Sequence, residues 1–139
     1  LTTDIIVGFP GETAADFDMT ARFMDEIGFD NAFIFKYSPR PDTVAAGMHD
    51  DVPAAEKLRR NKALLAAQDE RGIAINRRLI GRTVEVLAEG ASLRNAKRMA
   101  GRTRTKKIVV FEPRKGQQPG DTVNVKVERA TAQTLYGEP

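Results

Sequence analysis

The sequence predicts an α/β segment holding part of a (βα) barrel over residues 1–80, followed by a small all-β barrel of the OB-like kind over residues 81–139. Three observations lead there. Near Gly81 the apolar pattern changes from continuous runs and helical stripes to period-two alternation. The charge balance turns over at the same place: residues 1–80 hold 10 Lys/Arg against 13 Asp/Glu, a net of −3, whereas residues 81–139 hold 12 against 6, a net of +6. Finally, Gly90, Gly101, Gly116, Gly120 and Gly137 cut the second part into short pieces suited to about five strands.

Each element has a local reason. Thr3–Phe9 reads as a short strand, and its continuous apolar run suits a parallel sheet covered on both faces. Pro10-Gly11 is a turn. Thr13 with Asp16 makes a capping box, Asp standing for Glu, ahead of a helix whose stripe is Phe17, Ala21, Met24 and Ile27. Gly28 ends that helix as a left-handed residue. A second apolar strand covers about Ala32–Tyr37. The prolines of Ser38-Pro39-Arg40-Pro41-Asp42 then forbid further sheet, and a polar loop runs to Asp51. A long helix follows over Pro53–Leu79, with Leu58, Leu65, Ile75 and Leu79 expected inward and Gly72 weakening its middle. Two strands cannot close a barrel. The first module therefore reads as incomplete, and we expect it to fold poorly alone because its strand edges stay open. Beyond Gly81, Val84 and Val86 flank Glu85, Val123, Val125 and Val127 alternate with polar residues, and Ile108–Phe111 is a buried run.

Composition removes several classes of function. The chain has no Cys, so disulfides, thiolate zinc sites and iron–sulfur ligation by this chain are excluded. A hydrophobic fraction of 41% supports a packed core. No apolar run reaches the roughly 20 residues of a membrane helix, and no secretory leader is visible. The expectation is a cytoplasmic protein without a membrane partner. The chain opens at Leu1 almost directly on a strand, which reads as a piece cut from a longer protein.

Three segments can carry chemistry. Ile6-Val7-Gly8-Phe9-Pro10-Gly11-Glu12-Thr13 runs from a parallel strand into a helix start, where barrel enzymes place ligands and where glycine lets backbone approach a flat group. The alternative is a tight strand-to-helix turn. The basic run Arg98, Arg102, Arg104, Lys106 and Lys107 suits a nucleic-acid phosphate chain. If residues 102–107 are extended, Arg102, Arg104 and Lys106 share one face. The alternative is a solvated strand with partners such as Glu85 or Glu112. Tyr37-Ser38-Pro39-Arg40-Pro41 is a stiff loop whose Arg40 could reach a phosphate or carboxylate, or an ordinary surface loop. The single His49 reads as solvent-exposed, and Asp16, Asp18, Asp25 and Glu26 as a solvated helix face. No nucleophile–base pair and no metal-ligand spacing is present, so neither catalytic nor metal residues are assigned.

These segments occur together in a recognisable order. Thr3–Thr13, Phe35–Pro41, Val52-Pro53, Leu79–Thr83 and Gly101–Phe111 are similar, in that order, to the motifs of MiaB-type tRNA methylthiotransferases. The resemblance covers nearly the whole chain, from late in a radical-SAM barrel through a C-terminal TRAM domain. It implies a parent enzyme that methylthiolates isopentenyladenosine next to the tRNA anticodon, using S-adenosylmethionine (SAM) and two 4Fe–4S clusters. It further implies a cofactor-facing segment at Ile6, Val7, Gly8, Phe9 and Glu12, with Ile6 and Val7 as the wall against the SAM adenine. Tyr37, Ser38 and Arg40 would face cofactor or substrate. Arg98, Arg102, Arg104, Lys106 and Lys107 would grip the tRNA anticodon stem-loop. The implied partners are that RNA and the upstream remainder of the barrel.

The cluster cysteines of the family are absent, so this chain alone is expected to be inactive. Two smaller departures are Asp42, where Gly is usual, and Lys106-Lys107, where Thr-Asn-Lys or similar is expected. Sister families act on threonylcarbamoyladenosine in tRNA or on an aspartate of a ribosomal protein. The rival class is a stand-alone nucleic-acid-binding module.

Overall fold

The computed structural model describes residues 1–139. In order, the elements are β1 (Thr2–Val7), α1 (Ala14–Ile27), β2 (Asn31–Lys36), a 3-10 turn (Val44–Gly47), α2 (Ala54–Arg77), β3 (Thr83–Ser92), β4 (Asn95–Thr103), β5 (Ile108–Phe111), β6 (Thr122–Ala130) and β7 (Thr134–Glu138). The chain forms two compact units, Leu1–Arg71 and Gly72–Pro139, so the division falls inside α2. The change in sequence pattern comes later, near Gly81, where strand alternation begins.

In the N-terminal unit β1 and β2 pair in parallel, from Thr2 opposite Asn31 to Val7 opposite Lys36. Val7, Ala32 and Ile34 pack on Phe17 and Met24 of α1, Phe29, and Leu64 of α2. Only this face of the sheet is covered. Ile6, Phe33 and Phe35 are 55%, 56% and 53% exposed on the other, so this chain itself supplies one of the two layers expected. Alternation along a strand sends every second side chain to the side where this unit has no layer.

The capping box of α1 is present: Asp16 N–H donates to Thr13 Oγ1 (3.2 Å) and Thr13 N–H donates to Asp16 Oδ2 (2.9 Å). The Thr13 hydroxyl and N–H hold the Asp16 carboxyl below the usual carboxylate range. Gly28 ends the helix at φ 67°, donating to the Met24 carbonyl (3.1 Å). Phe17 and Met24 are buried as expected, whereas Ile27, in the last turn, is exposed.

Of the four residues expected to face inward from the long helix, Leu79 packs on the barrel core and Ile75 is half-buried, but two are misplaced. Leu58 and Leu65 are 40% and 42% exposed, and the buried stripe is Lys57, Arg60, Leu64, Gln68 and Asn76. That stripe keeps helical spacing but is mostly polar, because it caps backbone carbonyls that strand and loop ends leave unpaired. Asn61 Nδ2 donates to the Ile34 carbonyl (2.8 Å), Gln68 Nε2 to Phe29 (3.1 Å), and Asn76 Nδ2 to Thr131 (2.9 Å) and Ala132 (3.0 Å). Gly72 has a packing reason too: a Cβ there would lie 2.7 Å from the Ala132 carbonyl oxygen.

The C-terminal unit is a closed barrel in the order β3-β4-β5-β7-β6, with β5 and β7 parallel and the other pairs antiparallel. Its interior is Val86, Ala88, Met99, Val109, Phe111, Val123, Val125, Val127 and Leu135. The five expected strands are therefore present. Closure needs close strand approach at Gly137, where a Cβ would stand 1.9 Å from the Lys126 carbonyl oxygen. The extended run considered for residues 102–107 holds only to Thr103, where β4 ends. Lys106 N–H donates to the Thr103 carbonyl (2.9 Å) and Thr103 N–H to that of Lys107 (3.0 Å), so β4 turns into β5 through Arg104-Thr105-Lys106.

Candidate functional site

The turn after β1 is held from inside by one carboxylate. Glu12 Oε2 accepts from the N–H groups of Gly8 (2.6 Å) and Phe9 (3.3 Å), while its Oε1 accepts from Arg60 NH1 (2.8 Å). Both partners of this ion pair are nearly buried, with side chains 6% (Arg60) and 12% (Glu12) exposed. Arg60 also reaches Glu56 Oε1 (2.8 Å). Hydrogen bonds from Arg59 and Arg60 pull the Glu56 carboxyl from 4.5 to about 2. Burial lowers the Arg60 pKa, but its bonds to Glu56 and Glu12 outweigh this and raise it. At the other end of the turn, Gly11 N–H donates to Asp51 Oδ1 (2.7 Å) and holds that carboxyl low. Glu12 is thus the brace of the loop.

Beside the turn, at the carboxyl ends of β1 and β2, lies a cleft of about 490 Å³ lined by Ile6, Phe9, Phe35, Tyr37, Ser38 and Arg40, with Lys36, Thr43 and Ala45 completing it. Its volume is that of a small-molecule site, with apolar walls and a few polar groups. Phe9 and Tyr37 meet edge to face at 5.1 Å, and the Tyr37 hydroxyl donates to the Ala45 carbonyl (2.8 Å), tying the loop to the cleft. Of the residues singled out from sequence, Ile6, Phe9, Tyr37, Ser38 and Arg40 line it together. Val7 does not: its side chain is in the core, and its carbonyl accepts from Tyr37 N–H (2.8 Å). Gly8, at φ 70°, gives room to Lys57, whose Cγ a Cβ would meet at 2.3 Å.

Lys57 was not foreseen. It is buried, its Nζ lies 2.6 and 2.7 Å from the two oxygens of Asp50 and 5.0 Å from the centre of the Tyr37 ring. One buried ammonium thereby links α2, the 38–51 loop and the aromatic wall. The available signal was the spacing Lys57, Arg60, Leu64, Gln68, a helical stripe in which cations take apolar positions. His49 is exposed, as read from sequence. A second concavity on α1, lined by Met19, Arg22, Phe23, Asp25 and Glu26, lies apart from the strand ends.

Arg102, Arg104 and Lys106 line one groove together, and three arginines of the run have carboxylate partners. Arg98 NH2 pairs with Glu112 (3.1 Å), Arg102 Nε with Glu89 (3.3 Å) and Arg104 Nε with Glu85 (2.8 Å). The hydrogen bond to Glu85 raises the Arg104 pKa further. Lys107 Nζ donates to Asn76 Oδ1 (2.9 Å). A shallow groove of about 180 Å³ between β3 and β4 is lined by Glu85, Leu87, Glu89, Arg102, Arg104 and Lys106, so its charge is mixed. The pairings with Glu85 and Glu112 that the sequence allowed are both formed.

Comparison with known proteins agrees with this architecture. The TRAM domain family model matches residues 77–139. Proteins named tRNA-2-methylthio-N(6)-dimethylallyladenosine synthase match the chain from end to end. The one from Akkermansia muciniphila is 46% identical over 139 residues, covering 100% of this chain and 30% of its own length. That of Moorella thermoacetica is 46% identical over 99% of this chain and 31% of its own length, and that of Parabacteroides distasonis 42% identical over 100% and 30%. The chain thus spans about a third of the curated relatives it matches. Residues 77–139 match the TRAM domain, and the chain as a whole matches the C-terminal region of the tRNA-2-methylthio-N(6)-dimethylallyladenosine synthase family.

Proposed function

We propose that this chain is the C-terminal portion of an enzyme that methylthiolates isopentenyladenosine beside the tRNA anticodon. In this reading the N-terminal unit is the end of a radical-SAM barrel and supplies part of the cofactor pocket, and the C-terminal unit binds the tRNA anticodon stem-loop. The observation that carries it is the end-to-end match to the synthases at 42–46% identity. Two structural features support it. The cleft opens at the carboxyl ends of parallel strands, where barrel enzymes bind ligands. The bare sheet face of Ile6, Phe33 and Phe35 suits a further layer of the same enzyme.

The cleft fits the adenosine part of SAM in size and in chemistry. Ile6, Phe9 and Tyr37 offer flat apolar contact for a purine, and Ser38 offers a hydroxyl. Held against Ile6, Phe9 and Tyr37, SAM would supply radical chemistry to the parent enzyme. Having no cysteine, this chain contributes no thiolate to either cluster, and those ligands come from the remainder of the enzyme. Its own residues bind and orient: Glu12 fixes the Gly8–Phe9 backbone, and Lys57 holds the Tyr37 wall.

The test is a chimera in which this chain replaces the matching region of the Akkermansia muciniphila synthase. After cluster reconstitution, mass spectrometry of tRNA should show the methylthio product, and Ile6→Asp should lose it while tRNA binding persists. A chimera that folds, carries its clusters and cleaves SAM but leaves the tRNA unmodified would refute the reading.

A further inference from the structure

The arginines paired with carboxylates are not the only cations of the barrel. Met99 pairs with Phe111, so the start of β4 and the residues after Phe111 leave the barrel at one end. Leu87 pairs with Thr122, which brings the outer half of β3 and the residues before Thr122 to the same end. The Arg98–Glu112 ion pair (3.1 Å) and the bond from Gly120 N–H to the Ala88 carbonyl (2.8 Å) fasten these segments together. This rim carries Arg94 in the β3–β4 turn, Lys97 in β4, and Arg114 and Lys115 in the β5–β6 loop, all four exposed and without an ion pair. Leu93 beside them is fully exposed.

Two carboxylates of the rim are held in ion pairs, Glu112 by Arg98 and Glu89 by Arg102. Asp121, whose Oδ2 accepts from Gln118 N–H (2.8 Å), and Glu138, next to the Gly137 that pairs with Phe111, keep their charges. Four unpaired cations therefore face two unpaired carboxylates at this end of the barrel, which leaves it net positive. An arginine with a carboxylate partner must give that partner up to take a phosphate, whereas an unpaired one releases only its counterions. We infer that the Arg94, Lys97, Arg114 and Lys115 rim, and not the Arg102–Lys107 segment, is where this chain grips the phosphates of a folded RNA. The inference rests on the RNA-binding reading of the C-terminal unit and adds which end of the barrel does it. Leu93, at the centre of the hairpin turn, is placed to press on a ribose or an unstacked base.

The experiment uses the 139-residue chain and a fluorescent anticodon stem-loop RNA, with anisotropy followed across roughly 50 to 200 mM salt. One variant carries Arg94→Gln, Lys97→Gln, Arg114→Gln and Lys115→Gln; the other carries Arg102→Gln and Arg104→Gln. Each phosphate contact contributes about 0.7–0.9 to the slope of log affinity against log salt, so the rim variant should lose about 3 from that slope and roughly tenfold or more in affinity at low salt. The Arg102/Arg104 variant should change the slope by less than about 1. Thermal melts of both variants, and an Arg94→Lys/Arg114→Lys variant that keeps the charge and should keep binding, separate lost contacts from lost fold. A flattened slope in the Arg102/Arg104 variant with an unchanged rim variant would overturn the inference alone. No binding by the parent chain even at the lowest salt would remove the RNA reading and this inference with it.

Discussion

In the barrel every strand has a neighbour on both sides; in the N-terminal unit β1 and β2 have only each other. The same residue types meet opposite fates in consequence. Phe111 and Val86 are wholly buried between strands, while Phe33 and Phe35, also in strands, are more than half exposed. The barrel draws its order from a closed ring of hydrogen bonds around an apolar interior. The N-terminal unit draws it from polar side chains on α2 that reach into turns: Arg60 to Glu12, Lys57 to Asp50, Asn61 to Ile34. One unit is stabilised mainly by dry packing and the other substantially by buried ion pairs, so they should fail to different insults.

The largest effect should come from breaking closure. Gly137→Ala places a methyl 1.9 Å from the Lys126 carbonyl oxygen, and two hydrogen-bonded strands have to part to admit it. We expect a loss above about 4 kcal/mol, the range reserved for forced backbone shifts in a core. Amide hydrogen exchange should show β3–β7 losing protection while Val7 and Ile34 keep theirs. Simultaneous collapse of both units would show that they do not unfold separately.

The next effect belongs to the other unit. Glu12→Gln removes the charge opposite buried Arg60 and weakens the acceptor for the Gly8 and Phe9 N–H groups. Glu56 stays as the second partner of Arg60, so the expected cost is that of weakening a buried charge-assisted bond, about 1–3 kcal/mol. The expected readout is lost protection across the N-terminal unit, with barrel amides unchanged. A variant as stable as the parent would mean that the turn is held by its own backbone, and the contrast drawn above would fail.

How much of this could be read in the sequence follows the same division. The barrel was legible because alternation of Val123, Val125 and Val127 and the run Ile108–Phe111 report burial directly. The caps of α1 were legible because Thr13, Asp16 and Gly28 act on residues close by in sequence. The buried face of α2 was misread because Gln68 and Arg60 sit inside to satisfy groups 39 and 48 residues away, the Phe29 carbonyl and Glu12, and Lys57 sits inside to pair with Asp50 of the preceding loop. Pattern rules place such residues outside, and Leu58 and Leu65 were put in their stead. The cleft was legible as a cluster of segments, but the direction of Val7 was not, since a one-residue shift in a strand exchanges the two faces. Pairing of Arg98, Arg102 and Arg104 across strands depends on register, which composition does not carry.

Two residues with a shared backbone conformation give the smallest prediction. Asp42 and Lys106 are the two non-glycine residues with positive φ, both at 65°. Left-handed backbone costs most side chains roughly 1–2 kcal/mol, and Asn or Asp less. Lys106→Asn should therefore stabilise the barrel by about 0.5–1 kcal/mol, seen as a higher denaturant midpoint with an unchanged slope. Asp42→Gly should be close to neutral, because Asp already tolerates this conformation and glycine gives the unfolded chain more freedom to lose. Lys106→Asn also removes a cation from the β4–β5 turn. If the rim of Arg94, Lys97, Arg114 and Lys115 is the RNA grip, the salt dependence of binding should not move, and stability and affinity will separate in a single substitution.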